Sequence, residues 1–139
     1  MRQRLACGVA DPLAQPMRLV EVQREHFLLH DGHHTHRARC STALQQDLHD
    51  QGEALAVGDW LLARPADPGG CCITCRLPPV NQLSRRQRSS KLLRGGVQRQ
   101  ALVSNVDTAL LVMGLDHDFQ LRRLERYLAL VELAGVPAV

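Results

Sequence analysis

Lysine is nearly missing from this chain. Of its 17 basic residues 16 are arginine, and Lys91 is the exception. Aromatic residues are almost as scarce, at 3%, so the core has to be aliphatic. Rows of rings that read a free strand by stacking are not available either. The longest apolar stretch, residues 109–115, is far short of the ~20 residues a membrane helix needs. Met1-Arg2-Gln3-Arg4 is basic, but residues 5–10 are too short for a signal-peptide core. Membrane and secreted readings are therefore set aside, and a cytoplasmic location is expected. The five cysteines are odd in number, with Cys71 and Cys72 adjacent, so no disulfide framework is expected. What remains is ordinary for a globular chain of 139 residues: 45% apolar and 22% charged, enough for one domain or one small domain and a piece of another.

The net charge of +3 is unevenly spread. Between Asp67 and Asp107 there is no carboxylate, while Arg76, Arg85, Arg86, Arg88, Lys91, Arg94 and Arg99 all fall there. The run Ser84-Arg85-Arg86-Gln87-Arg88-Ser89-Ser90-Lys91 offers a positive field to phosphates. Arginine suits that use, because its planar fork holds phosphate oxygens in pairs. A solvated basic linker explains the charge alone equally well.

Residues 1–16, broken by Pro12 and Pro16, read as a loose lead-in. From Met17 the pattern is β. Strands are expected near residues 18–22, 27–29, 35–40, 57–64 and 71–77. Asp31-Gly32 marks a hairpin, and residues 65–70 form a Pro/Gly turn. Residues 41–53 read as a loop with a helical turn, since Leu44 and Leu48 are helically spaced. Five short strands in this span point to a small antiparallel barrel of the OB type over 17–80. A basic connector follows at 81–100. Residues 106–115 then resemble a strand buried on both faces. Asp118 is a candidate N-cap, Leu121, Leu124, Leu128 and Val131 make one stripe of a helix, and Gly135 and Pro137 stop it. Ala138-Val139 begins another strand, so 101–139 reads as an incomplete strand–helix–strand unit of Rossmann-like kind.

Several segments carry a family resemblance. They are Val57-Gly58-Asp59-Trp60, Leu77-Pro78, the Arg/Ser run ending Leu92-Leu93-Arg94, Gln100 and Asn105-Val106-Asp107. The longest is Leu115-Asp116-His117-Asp118-Phe119-Gln120-Leu121-Arg122-Arg123-Leu124-Glu125-Arg126-Tyr127-Leu128. In this order they resemble the ribosome-small-subunit-dependent GTPase A family over residues 17–139. The resemblance implies an N-terminal OB domain, a circularly permuted GTPase domain and a zinc-binding domain, with a role late in 30S assembly. It implies the 30S subunit and 16S rRNA as partners, no membrane, and a monomer. GTP, Mg²⁺ and Zn²⁺ are implied for a full-length member. Gly58, Asp59, Trp60, Asn105, Asp107, Asp118, Arg123 and Tyr127 are its motif residues here.

A GTPase needs a Gly-rich loop with a Lys for the β/γ-phosphates. Lys91 is followed by Leu92 and preceded by no nearby glycine, so the chain has no P-loop and no guanine motif. It reads as an N-terminal fragment of such a GTPase, inactive alone, with no catalytic residue and no cofactor of its own. Arg85, Arg86, Arg88, Lys91, Arg94 and Arg99 are the candidate phosphate contacts, followed by Arg37 and Arg39. Trp60 reads as a core residue, because large aromatics mostly serve packing. The alternatives are a stand-alone OB nucleic-acid-binding protein and a Cys/His metal or redox module built on Cys72, Cys75, His33, His34 and His36. Against the last, strand alternation turns Cys72 away from Cys71 and Cys75, and no metal is expected. With its parallel neighbours missing, 101–139 is expected to be less stable than the barrel, or to self-associate.

Overall fold

The computed structural model describes residues 11–88, 97–117 and 119–139, without the side chains of 86–88 and 97–99. The chain divides into two compact units, one up to Pro79 and one from Val80 onward.

The first unit holds β1 (Gln15–Val22), β2 (Phe27–His30), β3 (Thr35–Cys40), α1 (Thr42–Asp50), β4 (Trp60–Ala66) and β5 (Gly70–Arg76). The strands close into a barrel in the order β1-β2-β3-β5-β4, and β4 returns to β1. The expected antiparallel barrel is in fact mixed: β3 runs parallel to β5, with Ala38 opposite Cys71, while the other seams are antiparallel. Closure leaves no long open edge among these strands.

Alternation sets the interior. Leu19, Leu29, Leu61 and Ile73 are fully enclosed, joined by Met17, Ala38, Ala63 and Cys71. The core is aliphatic, as the shortage of rings requires. Leu44 and Leu48, one helical turn apart, put α1 against it. The helix is longer than the single turn expected. Ser41 caps it, its Oγ accepting from Leu44 N at 3.3 Å. Gly52 at φ +64° ends it, with Gly52 N donating to His49 O and Glu53 N to Leu48 O.

The second unit begins with β6 (Gln82–Arg88) and β7 (Val97–Ser104), which pair antiparallel from Gln82–Ser104 to Arg88–Val97. The segment expected as a basic connector is therefore largely a β-ribbon. Its Arg, Gln and Ser residues lack apolar alternation, so the pattern of residues hid it. Residues 106–115 do not form the regular buried strand expected. Leu110 and Val112 are exposed, and a single parallel bridge joins Ala109 to Ala138. Ala109 N donates to Pro137 O, and Val139 N to Ala109 O, each at 2.9 Å. The segment thus has a parallel neighbour after all, not through regular strands but through the isolated bridge of Ala109 and Ala138.

Between them lies α2 (Leu121–Leu133). Its N-cap is Gln120, without a side-chain cap bond; Asp118 lies outside the described residues. Gly135 at φ +68° ends it, and Val136 N reaches back to Val131 O at 3.1 Å, burying both valines. Leu124 is half-buried, while Leu121 and Leu128 stay exposed, so only part of the stripe is covered.

Candidate nucleic-acid interface

The outer face of β3 carries Arg37 and Arg39, set two apart and therefore on one side of the strand. They line a cleft of about 480 Å³ with Glu25 and His26 from the β1–β2 loop and Asp67, Pro68, Gly69 and Gly70 from the β4–β5 turn. Arg37 Nη2 donates to His26 Nδ1 at 3.3 Å. Gly70 allows a close approach: a Cβ there would sit 3.0 Å from the Arg37 carbonyl oxygen, a tight contact that the backbone would have to relieve by a small shift. That approach lets β5 start tightly beside β3. Cys72 pairs in register with Arg39 and lines the same cleft. The cleft is thus lined by two guanidiniums, an imidazole and the carboxylates of Glu25 and Asp67. Sequence reasoning singled out Arg37 and Arg39 but not His26; Arg24-Glu25-His26 between two strands was the available signal.

At the end of β2 the hairpin is tied by one carboxylate. Asp31 Oδ1 accepts from His33 N and His34 N at 2.7 Å each, and Oδ2 accepts from His36 Nε2 at 2.7 Å. The His34 and His33 amides, then His36, hold this carboxyl well below the usual carboxylate range. The histidine-rich hairpin is therefore a polar turn with its own acceptor. Among the described residues no three His, Cys, Asp or Glu side chains gather as a metal site.

The cysteines follow the strand alternation. Cys71 and Cys75 are buried and Cys72 is half-buried on the other face. Burial pushes the Cys40 thiol up to about 11, with Cys72 adding to it, and also raises Cys71, to which Asp31 contributes. Cys75 is disulfide-bonded, a departure from the expectation of free thiols.

In the ribbon, Arg85 Nε donates to Gln100 Oε1 at 3.0 Å. Arg86 stands opposite Arg99, and Arg88 opposite Val97. The side chains of Arg86, Arg88 and Arg99 lie outside the description, as do residues Lys91 and Arg94 altogether.

The motif residues have separate structural duties. Gly58 takes φ +91°, its N–H donating to Leu19 O at 2.8 Å, while Leu19 N donates to Asp59 O at 2.9 Å. Asp59 is fully buried and accepts from Ala56 N at 2.9 Å and from Arg76 Nη2 at 3.1 Å. Arg76, 4% exposed, also donates through Nη1 to Glu53 Oε2 at 2.8 Å. Trp60 contradicts the expectation of a core residue. It is 41% exposed, with the Arg18 guanidinium carbon 5.8 Å from the centre of its ring. The barrel interior is filled by smaller aliphatic side chains, and Trp60 holds an outward position of β4. Asn105 sits at φ +53°; Asp107 and Tyr127 are exposed, and Arg123 is half-buried.

A closed barrel of order 1-2-3-5-4, with a helix between β3 and β4, defines an OB-fold protein, here continued by a β-ribbon and the helix α2. Comparisons with known proteins agree. The model of the RsgA GTPase family matches residues 81–139. The small ribosomal subunit biogenesis GTPase RsgA of Xanthomonas oryzae pv. oryzae is 33% identical over 135 residues, covering 96% of this chain and 34% of that protein. RsgA of Leptospira interrogans is 40% identical over 84 residues, 60% of this chain and 22% of its own length. Among solved structures, YjeQ from Thermotoga maritima superposes with a TM-score of 0.62 at 16% identity, over 91% of this chain and 40% of that one. YloQ, a circularly permuted GTPase, gives 0.59 at 15%, over 91% and 39%. These two likenesses concern the fold. The chain belongs to the RsgA family and spans about a third or less of the length of these curated relatives.

The residues present do not fit GTP or Mg²⁺. The chain's sole Lys, Lys91, has no Gly-rich loop before it and no Ser or Thr after it. No step of nucleotide chemistry can be assigned to these side chains.

Proposed function

We propose that this chain is an RNA-docking module of a small-subunit biogenesis GTPase, binding 16S rRNA on the 30S subunit through the barrel cleft and the basic ribbon. The observation that carries the reading is the convergence of Arg37, Arg39 and His26 in one cleft of an OB barrel. In the barrel, the face of strands 2 and 3 with the first and fourth loops is where oligonucleotides bind in this fold. The Xanthomonas and Leptospira relatives are named for small ribosomal subunit biogenesis. The scarcity of rings fits a folded RNA held by phosphate contacts and shape more than a free strand. Arg85, Arg86, Arg88, Lys91, Arg94 and Arg99 supply further phosphate contacts from the basic segment. GTP hydrolysis belongs to parts of the longer relatives, and the setting is the cytoplasm, where ribosomes assemble.

The test is co-sedimentation with purified 30S, 50S and 70S particles across a salt series. Preference for 30S that weakens with salt, and drops in Arg85→Ala/Arg86→Ala/Arg88→Ala, is expected. Equal retention by all three particles at low salt would remove the ribosomal assignment and leave a general nucleic-acid-binding barrel.

A further inference from the structure

We propose that Trp60 and Arg18 form a docking point for one unpaired RNA base on the outer wall of the barrel, where β1 meets β4. The inference rests on the RNA-binding reading above and adds a second kind of contact to it.

Strand register sets the geometry. Arg18 stands opposite Trp60 on β4 and opposite His30 on β2, and His30 stands opposite Thr35 on β3. Neighbouring strands lie about 4.8 Å apart, so these residues make one row across four strands. Trp60 keeps 41% of its surface open while Arg18 covers part of its ring. Its backbone is fixed: Leu77 N donates to Trp60 O at 2.9 Å, and Asp59 just before it is locked to Arg76. The exposure is thus held in place by the fold.

The row contains no carboxylate. Of the neighbouring acids, Asp59 is fully buried and paired with Arg76, and Asp31, next to His30, is engaged by the His33 and His34 amides and by His36. A flat apolar ring beside a guanidinium matches the two halves of a nucleotide. The base stacks on the indole or extends the Arg–Trp stack, and its phosphate meets Arg18 and His30. An acidic peptide would use the cations and leave the ring unmatched. One ring serves one base, which suits a folded RNA with a single extruded nucleotide.

Trp60 is the chain's sole tryptophan, so its emission reports this spot alone. The full chain is titrated at low salt with end-labelled hexaadenylate and with an abasic ribose-phosphate hexamer, binding being followed separately by polarisation. Hexaadenylate is expected to quench the emission saturably and the abasic hexamer not to. Trp60→Ala is expected to weaken hexaadenylate binding roughly tenfold, Trp60→Phe by less, both keeping the wild-type circular dichroism. If Trp60→Ala does not fold, the wild-type quenching and Trp60→Phe decide. A rise in polarisation without quenching, or unchanged affinity in folded Trp60→Ala, overturns the docking point and leaves the RNA reading standing. So does 30S binding without hexaadenylate binding when folded Trp60→Ala keeps the full affinity for 30S. Loss of 30S binding in Trp60→Ala with hexaadenylate affinity intact overturns it as well, in favour of a protein contact. Absence of binding to 30S and to both hexamers overturns both readings.

Discussion

Arg76 Nε lies 3.0 Å from Asp59 Oδ2 while Arg76 Nη2 donates to Asp59 Oδ1, so the end of β5 and the residue before β4 share one enclosed ion pair. Nε makes no well-aligned hydrogen bond despite that distance. The pair gathers three pieces of chain: β5, the tight turn at Gly58, and, through Glu53, the segment after α1. Removing one partner of such a pair leaves the other charge buried without compensation, which costs about 3–5 kcal/mol. Arg76→Ala, which strands the Asp59 carboxylate, should lower the unfolding free energy by that order, and Asp59→Ala by less, because Arg76 keeps Glu53. A double replacement by apolar residues of similar size should recover part of the loss. Equilibrium unfolding followed by Trp60 emission measures all three.

Asn105 gives a second stability prediction. Its Oδ1 accepts from Val80 N at 2.9 Å, while Asn81 exchanges two bonds of 2.8 Å with the backbone of Val106. The two asparagines clasp the open end of the ribbon. At φ +53°, Asn105→Ala loses the side-chain bond and pays backbone strain, whereas Asn105→Gly loses only the bond. Alanine should be the worse replacement, by about 1 kcal/mol. Amide exchange at Gln82 and Ser104 reads the difference.

Arg37 and Arg39 should act as phosphate contacts in the cleft. Each replacement by Ala should reduce the slope of log affinity against log salt by about 1, with the loss similar across RNA sequences. A filter-binding salt series on the single and double variants measures this. Unchanged slopes would remove the cleft from the interface.

The Asp31 carboxyl has a definite pH signature. Its folded-state value is depressed, so its contribution to stability is present above the ordinary carboxylate range and is lost only as pH falls through the lowered value. Carboxyl NMR should show Asp31 still ionised after the exposed carboxylates have protonated. Asp31→Asn should loosen the hairpin at neutral pH, seen as faster exchange of the His33 and His34 amides.

Thiol chemistry separates Cys40 from Cys72. With Cys40 pushed up to about 11 by burial, and Cys72 half-open in the cleft, iodoacetamide at pH 8 should modify Cys72 first. Peptide mapping over time gives the order. Because the Cys40 value is raised, its contribution to stability is full below the unfolded thiol value and is lost as pH rises toward 11.

The barrel was legible because its inner positions alternate. Leu61 and Ala63, or Cys71 and Ile73, announce their face by spacing alone, and Asp31-Gly32 and the Pro/Gly turn mark where strands end. The pairing of β3 with β5 was not legible, since no local pattern encodes which distant strand is the neighbour. The ribbon escaped notice because β6 is polar apart from Leu83 and β7 mixes its few apolar residues with Gln and Arg. Trp60 was misplaced because side-chain size favours burial in general, while the register at β4 assigns this position to the outside. The cleft was half legible: two arginines two apart on a strand were visible, but His26 joins them only once the barrel closes.

The parallel seam has a kinetic consequence. Ala38 and Cys71 are about thirty residues apart, and α1, β4 and the Pro/Gly turn all lie between them. The hairpins β1–β2–β3 and β4–β5 can each zip locally, whereas this junction and the β1–β4 junction must wait for a long loop to close. Neither hairpin has a closed core without them, so the two halves of the cleft, one from β3 and one from the β4–β5 turn, come together only once these junctions close.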